Sequence, residues 1–239
     1  VYKRQEHGKH AFSEIPAAVT MDECWQIVET SERTKKHYMM LENCCYDFFE
    51  LITLNMAQQG FLGEIVHGEG AYLHDLMHLN FSKTGYRDMW RLKQNAARNG
   101  NLYPMHGLGP IAQIMNINRG DRFDYLVSVQ SNDFSMRRKA DELAATDPFF
   151  APYSGENYRG NMNTTTVRTE KGRTLVVQHD VSSPQPYSRL HTVVGTKRTV
   201  QKYPEPARIS DGTHKWLGTA EQKKFEEQFT FDLVRKIGE

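Results

Sequence analysis

The stretch Leu102-Tyr103-Pro104-Met105-His106-Gly107-Leu108-Gly109-Pro110 is the densest group of side chains able to do chemistry. An imidazole titrates near neutrality, a phenol three residues earlier can lie beside it, and two glycines let backbone approach a bound molecule closely. A helix predicted to begin at Pro110 would place its positive end near the imidazole. His106 is therefore a candidate general base with Tyr103 beside it, and a loop histidine capping that helix is the simpler alternative. His74-Asp75-Leu76-Met77-His78 has the i, i+4 histidines of a helical zinc motif. Its shorter Asp in place of Glu and the lack of a helix-start signal favour solvated loop histidines, so no metal is expected.

Other candidates are more dispersed. Tyr46, Tyr103, Tyr187 and Tyr203 lie beside prolines or at strand ends, where a ring either stacks on a sugar or completes the edge of a core. Arg91 beside Trp90, and Arg189 near Tyr187, have the reach to orient hydroxyl or carbonyl groups. His179-Asp180 end a predicted strand, where a pocket can open. The two carboxylates of an ordinary glycosidase meet only in the fold, and no GxGxxG, Walker or GxSxG motif is present. The residues alone describe an enzyme with a pocket and leave its chemistry open.

These side chains must be positioned by elements readable from periodicity and punctuation. A short strand over 10–15 is followed by a capping-box signature, Thr20 with Glu23, that predicts a helix from Met21 to near Lys35. The apolar run 38–44 has strand length, and Asp47 with Glu50 repeats the capping pattern for a helix that Gly60 ends. Two strand–helix units of this kind argue for part of a parallel α/β sheet. From Gly63 the texture changes: a long strand over 64–72, a polar loop to about 102, a helix over 110–118, then strands over 123–131, 161–169, 173–181, 189–195 and 199–202. Residues 136–158 read as an irregular excursion and 220–237 as a charged helix. The expected fold class is α/β plus α+β, the second part built on a large, mainly antiparallel sheet.

Composition narrows the partners. Lys plus Arg is 30 and Asp plus Glu 29 in 239 residues, a formal charge of +1, which argues against a nucleic-acid groove or an anionic-membrane patch. No run approaches the ~20 apolar residues of a membrane helix. Cys24, Cys44 and Cys45 form neither a disulfide framework nor a CxxC site and are expected to be buried small hydrophobes. The chain opens at Val1 without a leader, and is expected to be a piece of a longer protein.

Gly8-Lys9-His10-Ala11-Phe12-Ser13-Glu14-Ile15-Pro16-Ala17 is similar to the "GKHVxxEKP" strand and turn of the Gfo/Idh/MocA oxidoreductase superfamily. Leu41-Glu42-Asn43-Cys44-Cys45-Tyr46, Gly63–His67, Gly70-Ala71-Tyr72-Leu73-His74-Asp75-Leu76, Trp90-Arg91, the 101–110 stretch, 116–122, His179-Asp180 and Pro186-Tyr187-Ser188 follow in order. Together they resemble glycoside hydrolase family 109, the NAD-dependent α-N-acetylgalactosaminidases. The resemblance implies a glycosidase that oxidises the sugar C3 hydroxyl with NAD, removes the acidified C2 proton, expels the glycosidic oxygen, adds water and returns the hydride, with no net redox change.

Carried over by position, the resemblance assigns His106 to the C3 hydroxyl with Tyr103 in the same pocket, and Tyr46 to the C2 proton. Arg91, Tyr103 and Tyr187 would bind sugar, and Glu14 and Asn43 would lie by the nicotinamide and its ribose. Ile15 stands where the superfamily's plain dehydrogenases carry a lysine, which favours the glycosidase branch. The resemblance implies residues 1–62 as the C-terminal part of a Rossmann domain lacking its glycine-rich half, and 63–239 as a substrate domain whose C-terminal end is truncated. Expected partners are a glycan with terminal α-N-acetylgalactosamine and, through the sheet, a second copy. Export by a bacterium fits the resemblance, with the compartment left open. The alternatives are a sugar oxidoreductase using NAD or NADP, or a non-catalytic carbohydrate-binding fragment.

Overall fold

In the computed structural model, which describes residues 1–203 and 205–238, a capping box opens the first long helix. The Glu23 N–H donates to Thr20 Oγ1 at 3.2 Å, and Glu23 Oε2 accepts the Thr20 N–H at 3.1 Å, satisfying donors that no helical carbonyl can reach. The chain runs α1 (Tyr2–Glu6), β1 (Ala11–Ser13), α2 (Met21–Thr34), β2 (Tyr38–Met40), α3 (Phe48–Gln58), β3 (Ile65–Leu73), α4 (Met77–Asn80), α5 (Trp90–Ala97) and α6 (Met105–Ile114). It continues through β4 (Phe123–Gln130), α7 (Met136–Ala144), β5 (Asn163–Thr169), β6 (Thr174–Asp180), β7 (His191–Gly195), β8 (Thr199–Lys202), β9 (Arg208–Ile209), α8 (Thr219–Phe229) and α9 (Asp232–Ile237).

β1 and β2 form a parallel pair joined by α2. The large sheet has seven strands in the order β4-β5-β6-β3-β7-β8-β9. It is mixed: β3 and β6 are parallel at its centre, and its other pairs are antiparallel. Period-two alternation buries Leu175, Val177 and His179 of β6 on one face. In register, Gly68, Gly70 and Tyr72 of β3 lie opposite those three residues.

α6 packs directly on this face. A Cβ on Gly107 would stand 2.2 Å from the Ala71 backbone nitrogen, and one on Gly70 would stand 2.3 Å from the Gly107 carbonyl oxygen. Only glycine at both positions lets helix and strand approach so closely. Phe49, Ile52 and Met56 of α3 join Ile111 and Ile114 of α6 over Leu175, Val177 and Val193 as one apolar core. A second cluster, with Tyr72, Leu92, Met136, Phe150 and Val181, gathers past the carboxyl ends of β3 and β6.

Several expected elements are corrected. The run 38–44 is not one strand, because Glu42 Oε1 accepts the Cys44 N–H at 2.9 Å and winds Asn43–Tyr46 into a 3-10 turn. α6 starts at Met105 rather than Pro110, so His106 lies within its first turn. The loop to 102 contains α4 and α5, and the excursion 136–158 contains α7 and a 3-10 turn, short helices whose apolar positions make too few turns to show a period. The C-terminal helix breaks at Thr230, whose backbone is extended. Asp47 caps α3 through the Phe48 N–H without a box partner, since Glu50 is drawn into an ion network. Cys44 and Cys45 are buried as expected, but Cys24, in α2, is exposed.

Candidate active site

The carboxyl ends of parallel strands are where α/β folds place ligands, and the chemistry-bearing residues collect there. Tyr72, last but one in β3, is the hub. Its ring centroid lies 5.1 Å from that of His106, 4.9 Å from Tyr103, 6.1 Å from His179 and 6.4 Å from Tyr187. The Tyr72 hydroxyl is 3.2 Å from His74 Nδ1, and the His74 ring stands edge-on to Tyr187 at 4.9 Å. The Arg91 guanidinium lies 4.6 Å from the Tyr103 ring centroid and 5.1 Å from that of Trp90, a cation–π arrangement that holds its charge over the cluster. Beside them a cavity of about 480 Å³ is bounded by Pro16, Met21, Trp90, Arg91, Tyr103 and His179.

His106 is held by the 3-10 turn. Its Nδ1 lies 2.7 Å from Glu42 Oε1 and 3.1 Å from Cys44 Sγ. Burial works to raise the Glu42 carboxyl, but its bonds to His106 and to the Cys44 N–H outweigh that and hold it below the ordinary carboxylate value. An ionised carboxylate only accepts, so Nδ1 carries a proton, and the neutral ring then has its lone pair on Nε2. Burial pushes the Cys44 thiol up to about 12 and, against the Arg91 charge, the Tyr103 phenol up to about 12. Both remain protonated near neutrality. The ligand atoms of Glu42, Cys44 and His106 lie within 4.8 Å of one another, but with the thiol protonated the group acts as a hydrogen-bonded triad.

A second network fixes the flank of the site. Arg189, only 6% exposed, bonds Asp47 and the Tyr203 hydroxyl, and approaches Glu50 Oε1 at 3.4 Å. Lys202 Nζ reaches Asp47 at 3.2 Å and Glu50 at 3.1 Å. The start of α3 is thereby tied to β8 and to the segment that carries Tyr187.

The structure brings together His106, Tyr103, Arg91 and Tyr187. Tyr46 is not in that cluster: the turn that aims Cys44 inward leaves Tyr46 52% exposed, lining a neighbouring cavity with Met39, Glu42 and Met105. Glu14 and Asn43 are exposed just past the paired ends of β1 and β2. His78 lies in α4 while His74 precedes it, so the two histidines share no helical face. Sequence reasoning missed Glu42, whose partner is 64 residues away, and Tyr72. The alternation Gly68-Gly70-Tyr72 was the available signal for the latter.

Several solved structures share this fold, among them proteins described as oxidoreductases. An NAD-binding oxidoreductase from Klebsiella pneumoniae superposes with a TM-score of 0.66 at 17% identity, covering 90% of this chain and 55% of that one. An inositol dehydrogenase homologue from Azotobacter vinelandii, complexed with NADH and myo-inositol, gives 0.57 at 14% identity, over 90% and 53%. At these identities the likeness is one of fold. The model of the glycosyl hydrolase 109 C-terminal domain matches residues 46–239. An α-N-acetylgalactosaminidase from Bacteroides fragilis is 52% identical over 84% of this chain and 48% of its own length, and one from Shewanella oneidensis is 43% identical over 98% and 51%. This chain belongs to glycosyl hydrolase family 109, and it spans about half the length of these curated relatives.

Proposed function

We propose that this protein is an NAD-dependent glycoside hydrolase that removes terminal α-N-acetylgalactosamine. The observation that carries the reading is His106, held by Glu42 with its Nε2 lone pair free, inside an aromatic and arginine-lined cluster at the carboxyl ends of the parallel pair. Family membership and the α-N-acetylgalactosaminidase relatives support it.

The residues present fit the nicotinamide end of the cofactor. In the β1–β2 register Ser13 lies opposite Met40, so Glu14 and Asn43 emerge side by side where a parallel pair offers a ligand site. When bound, NAD supplies a hydride acceptor and later donor for the sugar C3. His106 Nε2 takes and returns the C3 hydroxyl proton, and the Glu42 carboxylate stabilises the imidazolium that forms. The protonated Tyr103 phenol donates a hydrogen bond, while Arg91 and Tyr187 hold the sugar. For the C2 proton the family resemblance offers Tyr46, exposed in the adjoining cavity that Glu42 also lines. Ile15 offers no ammonium group at the dehydrogenase lysine position, which favours hydrolysis over net oxidation.

The test uses the full-length enzyme with p-nitrophenyl α-N-acetylgalactosaminide. Nitrophenol release with solvent exchange at C2, lost on stripping NAD and restored by adding it back, is the expected result. Undiminished activity without NAD overturns the reading, and NADH accumulating with turnover replaces it with a sugar dehydrogenase.

A further inference from the structure

His179 is buried to 2% exposure, yet it borders the cavity shared with Arg91 and Tyr103. Its Nδ1 faces Arg159 Nη2 at 2.6 Å. Arg159, itself 2% exposed, is locked by five further bonds, the shortest from Nε to Asn95 Oδ1 at 3.0 Å, from Nη1 to the Gly160 carbonyl at 2.8 Å and from Nη2 to the Asn161 carbonyl at 3.0 Å. A guanidinium only donates, so His179 Nδ1 must accept, and the proton of the neutral ring sits on Nε2. That nitrogen has no hydrogen-bond partner among the described residues. Burial, with the Arg159 and Arg91 charges adding to it, holds the ring's pKa well below the ordinary histidine value, so no second proton joins it near neutrality.

The cavity wall joins donors to apolar surface. No carboxylate lines it among the described residues; Arg91, Arg98 and Asn101 stand on it with His179, and Trp90, Leu102 and Val181 supply apolar surface. A fixed, uncharged donor next to apolar wall suits an amide carbonyl with its methyl better than a hydroxyl, which donates as well as accepts. We infer that His179 is a specificity-determining residue whose Nε2–H, fixed as a donor by the positioning residue Arg159, reads the acetamido carbonyl of the bound sugar. The inference rests on the glycosidase reading for its substrate class.

Two substitutions separate the ring's two jobs. His179→Asn keeps an acceptor near the Nδ1 position for Arg159 and removes the reach of Nε2; His179→Gln keeps a donor near Nε2. Calorimetric titration of the full-length, NAD-loaded enzyme with N-acetylgalactosamine and with galactose reads the difference. His179→Asn should weaken N-acetylgalactosamine binding roughly tenfold and leave galactose unchanged, while His179→Gln stays within about threefold of wild type for both. Unchanged binding by His179→Asn, an equal loss for both sugars, or a wild type that binds neither overturns the inference. A wild type that binds and discriminates but hydrolyses nothing overturns the glycosidase reading alone.

Nitrogen-15 NMR of the wild-type histidines needs no variant to fold. It should show His179 as the neutral Nε2–H tautomer from about pH 6 to 8, and an Nδ1–H ring or an imidazolium there overturns the inference. In Arg159→Met that signature should shift; an unchanged signature removes Arg159 from its role.

Discussion

A carboxylate on one nitrogen of an imidazole decides which nitrogen can act as a base. Glu42 does this for His106, and the expected consequence is specific. Glu42→Gln should lower kcat about 10–100-fold with little change in KM, because the neutral amide neither enforces the Nδ1–H tautomer nor stabilises the imidazolium. Steady-state kinetics of the full-length enzyme check it. The pH dependence follows from the same bond: a carboxyl held below its ordinary value contributes stability that is complete above about pH 4.3 and is lost as pH falls through the lowered value. Acid unfolding of Glu42→Gln should therefore begin from a lower plateau and show a shallower fall over that window. The candidate base was legible in the sequence because Tyr103, His106 and two glycines are neighbours. Glu42 was not, because nothing in the chain links positions 42 and 106 until a 3-10 turn and a helix meet.

At the scale of elements, glycines set how close α6 comes to β3. Gly107→Ala would force a Cβ to 2.2 Å from the Ala71 nitrogen, and two backbones, unlike a flexible side chain, have nowhere to yield. It should lower stability by about 1–3 kcal/mol and weaken activity through displacement of His106, as thermal melting and turnover would report. Arg189→Met tests the flank: it leaves the 2%-exposed Glu50 with Lys202 alone, and breaking such a buried pair costs about 3–5 kcal/mol. Denaturant unfolding measures it, and a change below about 1 kcal/mol would make the network dispensable. Helix α2, with its Thr20–Glu23 box, was readable because its signal is local. α4, α5 and α7 were not, since helices of one to three turns carry too little periodicity to stand out from a polar loop.

At the scale of the molecule, β4 stands out. All eight of its residues are exposed, with Tyr125, Leu126, Val127 and Val129 each at 58% or more. An apolar strand at a sheet edge invites pairing, so a second copy meeting through the sheet is the expected assembly. Light scattering should find a dimer that Val127→Lys dissociates; a wild type that stays monomeric at all concentrations would count against it. The near-neutral charge balance of +1 fits an uncharged sugar ligand, which asks for hydroxyl, amide and aromatic partners rather than a strong field.

By itself the sequence determined the succession of a parallel strand–helix unit and a large sheet, the family, and the cluster of Tyr103 and His106, because capping boxes, alternation and clustered motifs act over a few residues. Only the tertiary structure decided that β3 and β6 run parallel, that Tyr72 rather than Tyr46 is the centre of the cluster, and that Glu42 and Arg159 set the tautomers of His106 and His179. Those outcomes depend on strand order and on contacts between distant segments, which arise when the sheet assembles and buries one chosen face.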